Sequence, residues 1–433
     1  MSFFLNTIDV PLNKNTSSEP SVRMTDVKTV TLPTQMHIGE PATPVVKMGD
    51  MVKVGQLIAQ ANGDLSSPVY ASVSGKVTKV SDYVTYYGTS VPAITITSDG
   101  EMTPVEDLQA PVVTNREELL EAIRNSGVVG LGGAGFPTHV KYNVDFDKLE
   151  VLIVNGTECE PYITSDDHTM QERVADIEFA LRAMQKHFGI KRIIIGVGDN
   201  KKAAIENMRE LASRMEGVEV AVLPSGYANG SEKAVIYHTT KKIVPVDTLP
   251  IELGCLVSNV TTIASIGAYL QTGMPLVERY VTVDGGCVKT PKCVVAPIGV
   301  SIEELVGFVG ELEGDPYKVV YGDTMHGITV PNMSAPVLKI TNAVLVLSEK
   351  ETAFPKQTAC IRCGECTNQC PIGLAPAAIA KAYKNRDVDA LEKLNVNACM
   401  ECGICSYVCP ASRPLVQTTK LAKKFVKEEK ANG

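Results

Sequence analysis

The sequence predicts a multidomain α/β protein in which four domains follow a short N-terminal arm. Three observations indicate this: short apolar runs broken by turns over residues 31–100, helices alternating with buried strands over residues 115–245, and eight closely spaced cysteines after residue 350. Short runs bounded by Pro and Gly are typical of strands, and strands that alternate with helices are typical of a mostly parallel sheet. A chain of 433 residues has room for two to four domains of ordinary size.

The predicted boundaries follow these changes of pattern. We place an arm at 1–30, a β-rich domain at 31–105, an α/β domain at 110–245, a second β-rich domain at 246–348 and a helical domain at 350–433. In the α/β domain the pattern predicts strands at Val151–Val154 and Arg192–Val197, and helices at Glu117–Asn125, Asp176–His187 and Lys201–Met215. In the second β-rich domain the runs VTVDGG, CVVAPIG, GITVP and AVLVL predict strands.

Composition and charge exclude some classes of protein. The chain is 44% hydrophobic and 21% charged, which is ordinary for a globular protein, and its net charge of −8 weighs against nucleic-acid binding. The longest uncharged stretch, Leu253–Val277, carries several Ser, Thr and Asn residues, so we expect no transmembrane span. The first residues show no basic region followed by an apolar run, so no secretory signal is predicted.

Eight of the twelve cysteines form two runs of identical spacing, each followed by proline. The spacing C-x2-C-x2-C-x3-C-P lets three thiolates of one run hold one [4Fe–4S] cluster, while the fourth cysteine ligates the other cluster. We therefore predict one cluster on Cys360, Cys363, Cys366 and Cys409, and a second on Cys399, Cys402, Cys405 and Cys370. The remaining cysteines are expected to be small buried residues, namely Cys159, Cys255, Cys287 and Cys293.

Two zinc sites are the alternative interpretation of the cysteine runs. Zinc is usually held by two separated C-x2-C pairs, which these quartets fit poorly. The spacer Pro371–Ala398 is rich in Ala, Lys and Leu, so it predicts a helical two-cluster module. Because such clusters only pass single electrons, another redox group must donate or accept them.

A glycine-dense loop precedes the first predicted strand of the α/β domain. It contains Gly130, Gly132, Gly133 and Gly135 within the string GVVGLGGAGFPTHVK, which ends at Lys141. The loop matches G-x-G-x-x-G, but the dinucleotide fingerprint follows a strand, whereas this loop follows a helix. Glycines let backbone N–H groups approach an anion or a flat ring, and Lys141 is available to pair with a phosphate. A purely structural glycine turn is the alternative.

Three polar strings lie further along the α/β domain. NGTECEP (Asn155–Pro161) follows a predicted strand, and the carboxyl end of a parallel strand is where α/β sheets bind ligands. Its Glu158 and Glu160 are predicted to accept hydrogen bonds from sugar hydroxyls or ring N–H groups, with a solvated acidic loop as the alternative. The strings GSEK, with Glu232, and SNVTT, with Asn259 and Thr262, are weaker signals that are equally typical of polar turns.

Together these strings resemble the RnfC family, a component of the Rnf electron-transport complex. GLGGAGFPTHVK, NGTECEP, NGSEK, SNVTT and the two cysteine runs occur in that family's order, and the resemblance extends from His37 to Pro414. The glycine loop, the acidic loop and SNVTT are also similar to the flavin- and NADH-binding subunit of respiratory complex I. The resemblance implies a non-covalent FMN, an NAD(H) site over the flavin ring and two [4Fe–4S] clusters.

The resemblance also implies a role for each residue of these strings. Gly130, Gly132, Gly133, Gly135 and Lys141 would line the flavin and its phosphate, and Asn259 and Thr262 would hold its phosphate or ribityl chain. Asn155, Glu158 and Glu160 would lie near the flavin and nicotinamide, and Glu232 would face the nucleotide. Phe136 would stack on the NAD adenine, with a core phenylalanine as an equal alternative.

The implied domains are a lipoyl-like barrel-sandwich, a Rossmann-like FMN/NAD domain, a soluble-ligand-binding (SLBB-like) β-grasp domain and a helical two-cluster ferredoxin domain. The lipoyl-like domain is expected to be structural, because NGDLSSP (Asn62–Pro68) lacks the carrier lysine. Two departures from the family matter. Thr7–Pro11 replaces the N-terminal Gly-Gly-x-His-Pro-Pro, which leaves contacts to partner subunits in doubt, and Thr157 replaces an aspartate of the complex I relative.

The resemblance implies an NAD(H)-dependent oxidoreductase subunit, peripheral at the cytoplasmic face of the membrane. Hydride would pass between NAD(H) and FMN, and single electrons between FMN and the clusters. Other Rnf subunits and, indirectly, ferredoxin would be its partners, and the whole complex would translocate Na⁺ or H⁺. Three alternatives stay open: a cobalamin reductase, which is expected to carry the lipoyl-like part late in the chain, a soluble carrier of the same type, and a non-catalytic cluster scaffold without flavin.

Overall fold

The computed structural model describes residues 7–85, 88–245 and 248–432. Within these residues the chain forms four sheets, followed by a helical C-terminal domain. The strands and helices predicted for the α/β domain are all present, and their ends agree with the prediction to within two residues. Cys159, Cys255, Cys287 and Cys293 are buried, which confirms the expectation for these four cysteines.

The N-terminal β-rich domain consists of two small sheets that follow the arm. After β1 (Val22–Arg23) in the arm come β2 (Thr29–Pro33), β3 (Thr43–Pro44), β4 (Met51–Val52), β5 (Leu57–Gln60), β6 (Val69–Tyr70), β7 (Gly75–Val84) and β8 (Ser90–Ser98). The sheets have the orders β2-β8-β7-β4 and β3-β5-β6. Val30 and Leu32 on β2 lie opposite Ile96 and Ile94 on β8, and all four are fully buried. Alternate residues of a strand share a face, so these four side chains form one side of the domain core.

The α/β domain is a four-stranded parallel sheet with the order β11-β10-β9-β12. Its elements are α1 (Arg116–Asn125), α2 (Thr138–Tyr142), β9 (Val151–Gly156), α3 (Ser165–Glu172), α4 (Val174–Phe188), β10 (Ile193–Gly198), α5 (Lys202–Ser213), β11 (Val218–Leu223), α6 (Glu232–Thr240), β12 (Cys255–Asn259) and α7 (Val260–Thr272). The domain therefore extends beyond the boundary predicted at residue 245, because β12 pairs along the whole length of β9 and α7 packs against α4.

The apolar stretch 253–277 is accounted for by β12 and α7. Val260–Ile266 are buried along α7, and a Cβ atom on Gly267 would lie 1.9 Å from the carbonyl oxygen of Asp176 on α4, so the two helices cross in close contact. A helix that is apolar all round is typical of the interior of a large domain. Among the described residues, no helix is both long and apolar enough to cross a membrane.

The second β-rich part is a six-stranded mixed sheet with the order β1-β14-β13-β17-β15-β16. Its elements are β13 (Glu278–Asp284), β14 (Lys292–Pro297), α8 (Ile302–Val309), β15 (Lys318–Tyr321), β16 (Ile328–Thr329) and β17 (Ala343–Leu347). The arm adds β1 as a parallel edge strand on β14. The N-terminal arm is therefore part of this sheet, although it is far from it in sequence.

The C-terminal domain is helical, as predicted. It contains α9 (Glu349–Thr352), α10 (Glu365–Asn368), α11 (Pro376–Lys384), α12 (Val388–Lys393), α13 (Ile404–Tyr407) and α14 (Leu415–Asn432). Its core joins Ile379 of α11, Leu391 of α12, and Ala422 and Val426 of α14. The two cysteine runs lie on the loops around α10 and α13.

One buried lysine ties three parts of the chain together. The Lys339 ammonium donates to Ser67 Oγ (3.1 Å) and the Pro68 carbonyl (2.6 Å) in the barrel-sandwich domain, and to the Gly127 carbonyl (2.7 Å) before the glycine loop. The side chain is fully buried, and the cost of burying a charge lowers the pKa of Lys339 to about 7.

This burial predicts a pH-dependent contribution of Lys339 to stability. Between the pKa of about 7 in the folded chain and 10.5 in the unfolded chain, the unfolded state binds more protons, so the contribution makes stability rise with pH, by at most about 1.4 kcal/mol per pH unit. In Lys339→Met this term is absent. The difference in free energy of unfolding, wild type minus Lys339→Met, is therefore expected to increase from about pH 7 to about pH 10 and to be flat below about pH 6.

Denaturant unfolding of both proteins across this pH range measures the difference. The exposed Lys350→Met in α9 is the matched control, and its difference from the wild type is expected to stay constant with pH. Parallel pH profiles for the wild type and Lys339→Met would contradict the prediction.

Candidate functional site

Two polar loops meet at one edge of the parallel sheet. β9 and β12 are neighbours in register, so that Asn155 at the end of β9 lies opposite Asn259 at the end of β12. The carboxyl ends of adjacent parallel strands are the usual ligand site of an α/β sheet. The acidic loop after β9 and the N-terminus of α7 after β12 therefore form the walls of one site.

The glycine loop closes on itself and exposes its backbone at this edge. The Gly130 amide donates to the Phe136 carbonyl (2.8 Å) and the Gly135 amide to the Gly130 carbonyl (3.0 Å). Gly132 and Gly133 are exposed at the tip, and Gly133 has a φ of +104°, which favours glycine. A Cβ atom on Gly132 would lie 3.2 Å from Asn259 Nδ2. The tip therefore has no room for a side chain on one flank, while its backbone is open to a ligand.

The N-terminus of α7 holds the glycine loop in place. Thr262 Oγ1 accepts the Leu131 amide (3.0 Å), and Asn259 Oδ1 caps the helix by accepting the Thr262 amide (3.1 Å). Asn259 Nδ2 and Thr261 Oγ1 both donate to the carboxylate of Asp166 (2.7 and 2.6 Å). The side chains of Asn259 and Thr262 are thus used within the protein, and what the helix presents to a ligand is the positive end of its dipole.

Two charged residues beneath the glycine loop were not found from the sequence. Burial raises the pKa of Asp166, which α7 satisfies through Asn259 and Thr261. Arg279 on β13 is fully buried, donates from Nη2 to the Leu131 carbonyl (3.0 Å), and has a pKa that burial lowers to about 10. Its Nη1 has no hydrogen-bond partner among the described residues. A lone Asp or Arg outside any motif gives no sequence signal, because these roles arise from contacts between distant elements.

The carboxylate of Glu158 points into the protein. It accepts the Asp166 amide (2.6 Å), the Asp167 amide and Ser165 Oγ (both 3.3 Å) at the start of α3, and lies 3.8 Å from the ammonium of buried Lys201. Burial raises the pKa of Glu158 to about 8. The direct ligand contact predicted for this side chain therefore differs from the structure, in which Glu158 fixes the shape of the loop.

Glu160 has the opposite surroundings. Its residue is half-buried, and its carboxylate makes no hydrogen bond within the described part of the chain. The backbone amides of Glu158, Cys159 and Glu160 also donate no hydrogen bond to any residue that the structure describes. Polar groups near a cleft that the protein leaves unpaired are candidates for ligand contacts. These three amides and one carboxylate fit a ring that carries both hydrogen-bond acceptors and donors.

The other predicted residues lie around the same edge. Asn155 bridges two loops, since its Nδ2 donates to the Gly230 carbonyl and its Oδ1 accepts from Thr157 Oγ1, both at 2.8 Å. Lys141 of α2 and Glu232 of α6 form an ion pair of 2.9 Å, and both are partly exposed. Phe136 is half-buried at the base of the glycine loop. Lys141 therefore already has a counter-charge and is not poised as a free cation.

The eight cysteines of the two runs line two cavities. One cavity is lined by Cys370, Cys399, Cys402 and Cys405, and the other by Cys360, Cys363, Cys366 and Cys409. Each cavity thus collects three cysteines of one run and the last cysteine of the other. Gly364 and Gly403, each directly after a C-x2-C pair, have φ of +85° and +82°, and this left-handed turn lets the loops fold tightly around the cavities.

The cavities fit clusters better than single ions. Among the described residues, no three His, Cys, Asp or Glu side chains converge as a single metal ion requires, so the sulfurs surround a volume and not a point. Burial raises the pKa of Cys402 to about 11 and of Cys405 to about 12, so these thiols become thiolates when iron displaces their protons. The donor set of each cavity consists only of cysteines, the ligands that [4Fe–4S] clusters take.

One of the two cavities adjoins the acidic loop. Tyr227 donates its phenol hydroxyl to the Cys402 carbonyl (2.7 Å), and its ring packs with Cys159 of the acidic loop and Ile404 of α13. The backbone of Gly403 lies so close to the Met325 carbonyl that a Cβ atom would be 2.2 Å from that oxygen. In contrast, Cys360 and Cys363 of the other cavity are exposed. The four-cysteine cavity around Cys402 is therefore the inner one, and the cavity around Cys360 is the outer one.

Three family models match the chain in succession. The RnfC barrel sandwich hybrid domain matches residues 3–101, the Nuo51 FMN-binding domain matches residues 123–268, and the 4Fe-4S dicluster domain matches residues 354–410. The matches agree with the barrel-sandwich, α/β and cysteine-rich parts described above. The second match extends over β12 and α7, as the sheet itself does.

Curated relatives cover most of the chain. It is 39% identical over 409 residues to the C subunit of the Na(+)-translocating ferredoxin:NAD(+) oxidoreductase complex of Acetobacterium woodii, covering 93% of this chain and 92% of the relative. It is 39% identical over 397 residues to the C subunit of the proton-translocating complex of Clostridium ljungdahlii (90% and 86% covered). It is 38% identical over 410 residues to the C subunit of the ion-translocating oxidoreductase complex of Rhodobacter capsulatus (93% and 79% covered).

A solved structure gives a weaker likeness. An NAD+-reducing [NiFe]-hydrogenase in its H2-reduced state matches 72% of this chain and 63% of its own, with a TM-score of 0.48 and 18% identity. This likeness is too low to support an argument about fold or function.

Fold, cysteine cavities and flavin-domain match together define an iron–sulfur flavoprotein of the electron-transfer class. The chain belongs to the RnfC family, the C subunits of the ion-translocating ferredoxin:NAD(+) oxidoreductase, or Rnf, complexes. The family expected from the glycine loop, the acidic loop and the cysteine runs is thereby confirmed.

The different surroundings of Glu158 and Glu160 predict different effects of removing each carboxylate. Glu158→Ala leaves buried Lys201 without its counter-charge and the start of α3 without its acceptor, so we expect a loss of about 3 kcal/mol or more in the free energy of unfolding. Glu160→Ala removes a carboxylate with no protein partner, and a change of less than about 1 kcal/mol is expected. Unfolding midpoints of the two variants measure the difference, and equal losses would show that the inward orientation of Glu158 is wrong.

Proposed function

We propose that the chain exchanges hydride between NAD(H) and bound FMN and passes single electrons between FMN and two [4Fe–4S] clusters. The observation that carries this proposal is a convergence at the carboxyl ends of β9 and β12. An open glycine loop, the N-terminus of α7 and the acidic loop meet there, and Tyr227 bonds the inner cysteine cavity to the same region. FMN supplies the chemistry that links the two partners, because it exchanges two electrons with nicotinamide and one at a time with a cluster.

The residues that would hold FMN divide into those that touch it and those that position the others. The open backbone of Gly130, Gly132, Gly133 and Gly135 would lie against the ring, and the N-terminus of α7, supported by Lys141, would face the phosphate. Asn155, Asn259 and Thr262 act through bonds inside the protein that fix the two loops. Buried Arg279 places a positive charge beneath the glycine loop, which favours an anionic ligand above it.

For NAD(H), the acidic loop offers the free contacts. Glu160 has an unpaired carboxylate, so we assign it, and not the carboxylate of Glu158, to the nucleotide. Glu232 would face the nucleotide at the partly exposed rim, where it pairs with Lys141. Phe136 is half-buried and would offer its ring to the adenine.

The two cavities would hold the two clusters in a fixed order. The inner cluster would be bound by Cys370, Cys399, Cys402 and Cys405, and the outer cluster by Cys360, Cys363, Cys366 and Cys409. Because the inner cavity contacts the acidic loop through Tyr227 and Cys159, it is the one that exchanges electrons with the flavin. The exposed cysteines of the outer cavity make it the point of exchange with a partner.

The relatives set the wider frame. By name they are subunits of ferredoxin:NAD(+) oxidoreductase complexes that translocate Na⁺ or H⁺. We therefore place this chain in an Rnf-type complex with other subunits as partners, ferredoxin as the indirect electron source and NAD(H) as the substrate. Since both substrates belong to the cytoplasm, the chain would lie at the cytoplasmic face of the membrane.

The finer domain assignments belong to the same proposal. The two small sheets of residues 31–105 correspond to a lipoyl-like barrel-sandwich, and the parallel sheet with its glycine loop to a Rossmann-like FMN/NAD domain that runs from 110 to 272. The six-stranded sheet up to residue 348 corresponds to a β-grasp domain of the SLBB type, which β1 of the arm joins. Residues 350–433 correspond to the helical two-cluster ferredoxin domain.

An anaerobic titration tests this function. The protein is reconstituted with iron, sulfide and FMN and is then titrated with NADH, while its visible absorbance is recorded. Bleaching of both the flavin and the cluster bands is expected. Tight clusters without FMN uptake and without any response to NADH would overturn the proposal and leave a relay scaffold, with hydride chemistry on another subunit.

Gly132→Ala tests the role of the glycine loop in flavin binding. The added Cβ would lie 3.2–3.3 Å from the side chain of Asn259 and would displace the loop tip, so FMN affinity is expected to fall at least about tenfold, while the iron content stays the same. Gly307→Ala in α8 is the matched control, because its Cβ would have no atom within 4 Å. Quenching of free FMN fluorescence on binding measures the affinity, and equal affinities for the two variants would contradict the prediction.

Paired cysteine substitutions test the crossed ligand sets. Cys370→Ala and Cys402→Ala lie on different runs but line the same cavity, so the double variant is expected to lose half of the iron and one electron paramagnetic resonance (EPR) signal. Cys366→Ala combined with Cys370→Ala lies on one run but removes one ligand from each cavity, so this double variant is expected to affect both signals. If instead each run holds its own cluster, the two results are exchanged.

A further inference from the structure

The N-terminal arm lies along the acidic loop. The Tyr162 amide donates to the Leu12 carbonyl (2.7 Å), and the Thr16 carbonyl contacts His168 Nε2 (3.0 Å) on α3. Further back in the arm, Ile8 pairs with Tyr227, whose amide donates to the Ile8 carbonyl (3.0 Å). The arm therefore touches the acidic loop, the helix that follows it and the tyrosine that reaches the inner cavity.

Lys14 of this arm reaches beneath the acidic loop. Its ammonium donates to the carbonyls of Glu158 (3.0 Å), Glu160 (2.8 Å) and Ile163. These three acceptors satisfy all three N–H donors of a lysine ammonium. A cation that is fully bonded to one loop fixes the direction of that loop's peptide groups.

A second lysine binds the same loop from the α/β core. The ammonium of Lys201 donates to the carbonyls of Thr157 (3.0 Å) and Glu158 (3.2 Å), and the two lysines thus share the Glu158 carbonyl. Glu158 has a φ of +42° and Tyr162 a φ of +70°, values that non-glycine residues rarely adopt. Such conformations persist only where the surroundings over-determine them, and here two ammonium groups do so.

The carbonyls and the free groups of the loop have separate uses. Four carbonyls, those of residues 157, 158, 160 and 163, are bound by the two lysines. The amides of residues 158–160 and the Glu160 carboxylate have no partner in the described part of the chain. Since one peptide unit carries both a C=O and the next N–H, fixing the carbonyls also fixes where the amides point.

We propose that Lys14 of the N-terminal arm is a positioning residue of the nucleotide site, which holds the acidic loop with its amides and Glu160 presented to NAD(H). The inference rests on the proposed function and adds a residue that lies outside the glycine loop, the acidic loop and the SNVTT string. It also gives the arm a role within the chain, in addition to any contact with partner subunits.

Lys14→Met tests the inference in the complete, FMN- and iron-loaded chain. Methionine keeps the length of the stem and removes the three hydrogen bonds, so the loop is expected to lose its fixed peptide orientation. The KM for NADH, with a soluble dye as electron acceptor, is expected to rise at least about tenfold, with a smaller change in kcat and unchanged iron and FMN content. Lys28→Met is the matched control, since Lys28 is exposed on the segment that follows and only its backbone amide is bonded.

A second variant covers the case in which Lys14→Met does not fold. Lys14→Arg keeps the charge but spreads its donors over a planar group that does not match three convergent carbonyls. It is expected to raise the KM for NADH in the same direction, by a smaller factor. An unchanged KM in either loaded variant, or an equal rise in Lys28→Met, would overturn the inference.

The design separates this inference from the function on which it rests. If the loaded wild-type chain does not react with NADH, the proposed function fails, whatever the variants do. If the wild type reacts and Lys14→Met has the same KM, the function stands and only the role of Lys14 is wrong.

Discussion

The pairing of β12 with β9 is the constraint on which the site depends. It places Asn259 opposite Asn155, and this register brings the N-terminus of α7 beside the acidic loop. From there a chain of hydrogen bonds runs from Asp166 through Asn259 to Thr262 and on to the Leu131 amide in the glycine loop. A shift of one residue in this register would separate the two loops, because adjacent residues of a strand point to opposite faces.

Buried charges, each with several partners, keep this edge rigid. Glu158 lies between the start of α3 and Lys201, while Lys14 and Lys201 share its carbonyl. Leaving one buried charge without its partner costs more than the pair contributes, so these groups depend on one another. The protein thereby supplies an electrostatically prepared site in which Glu160 and a short run of amides remain for the ligand.

Much of this could be predicted from local sequence. The cysteine spacing indicated the clusters, because ligation by a C-x2-C-x2-C turn is a local property, and the glycine loop and the helices of the α/β domain were equally local. The boundary at residue 245 was not predictable in this way, because β12 belongs to the sheet through its pairing with β9, about a hundred residues earlier. The inward turn of Glu158 and the roles of Lys14, Asp166 and Arg279 depend on contacts between distant segments, which no motif records.

The order of the electron path is the central claim of this account, and rapid-freeze EPR tests it most directly. The fully loaded chain is mixed with NADH and frozen at successive times, with the two cluster signals assigned by the cysteine variants. The account predicts that the cluster on Cys370, Cys399, Cys402 and Cys405 is reduced first, and that the outer cluster stays oxidised in a protein that lacks the inner one. Reduction of the outer cluster at the same rate without the inner cluster would contradict the account.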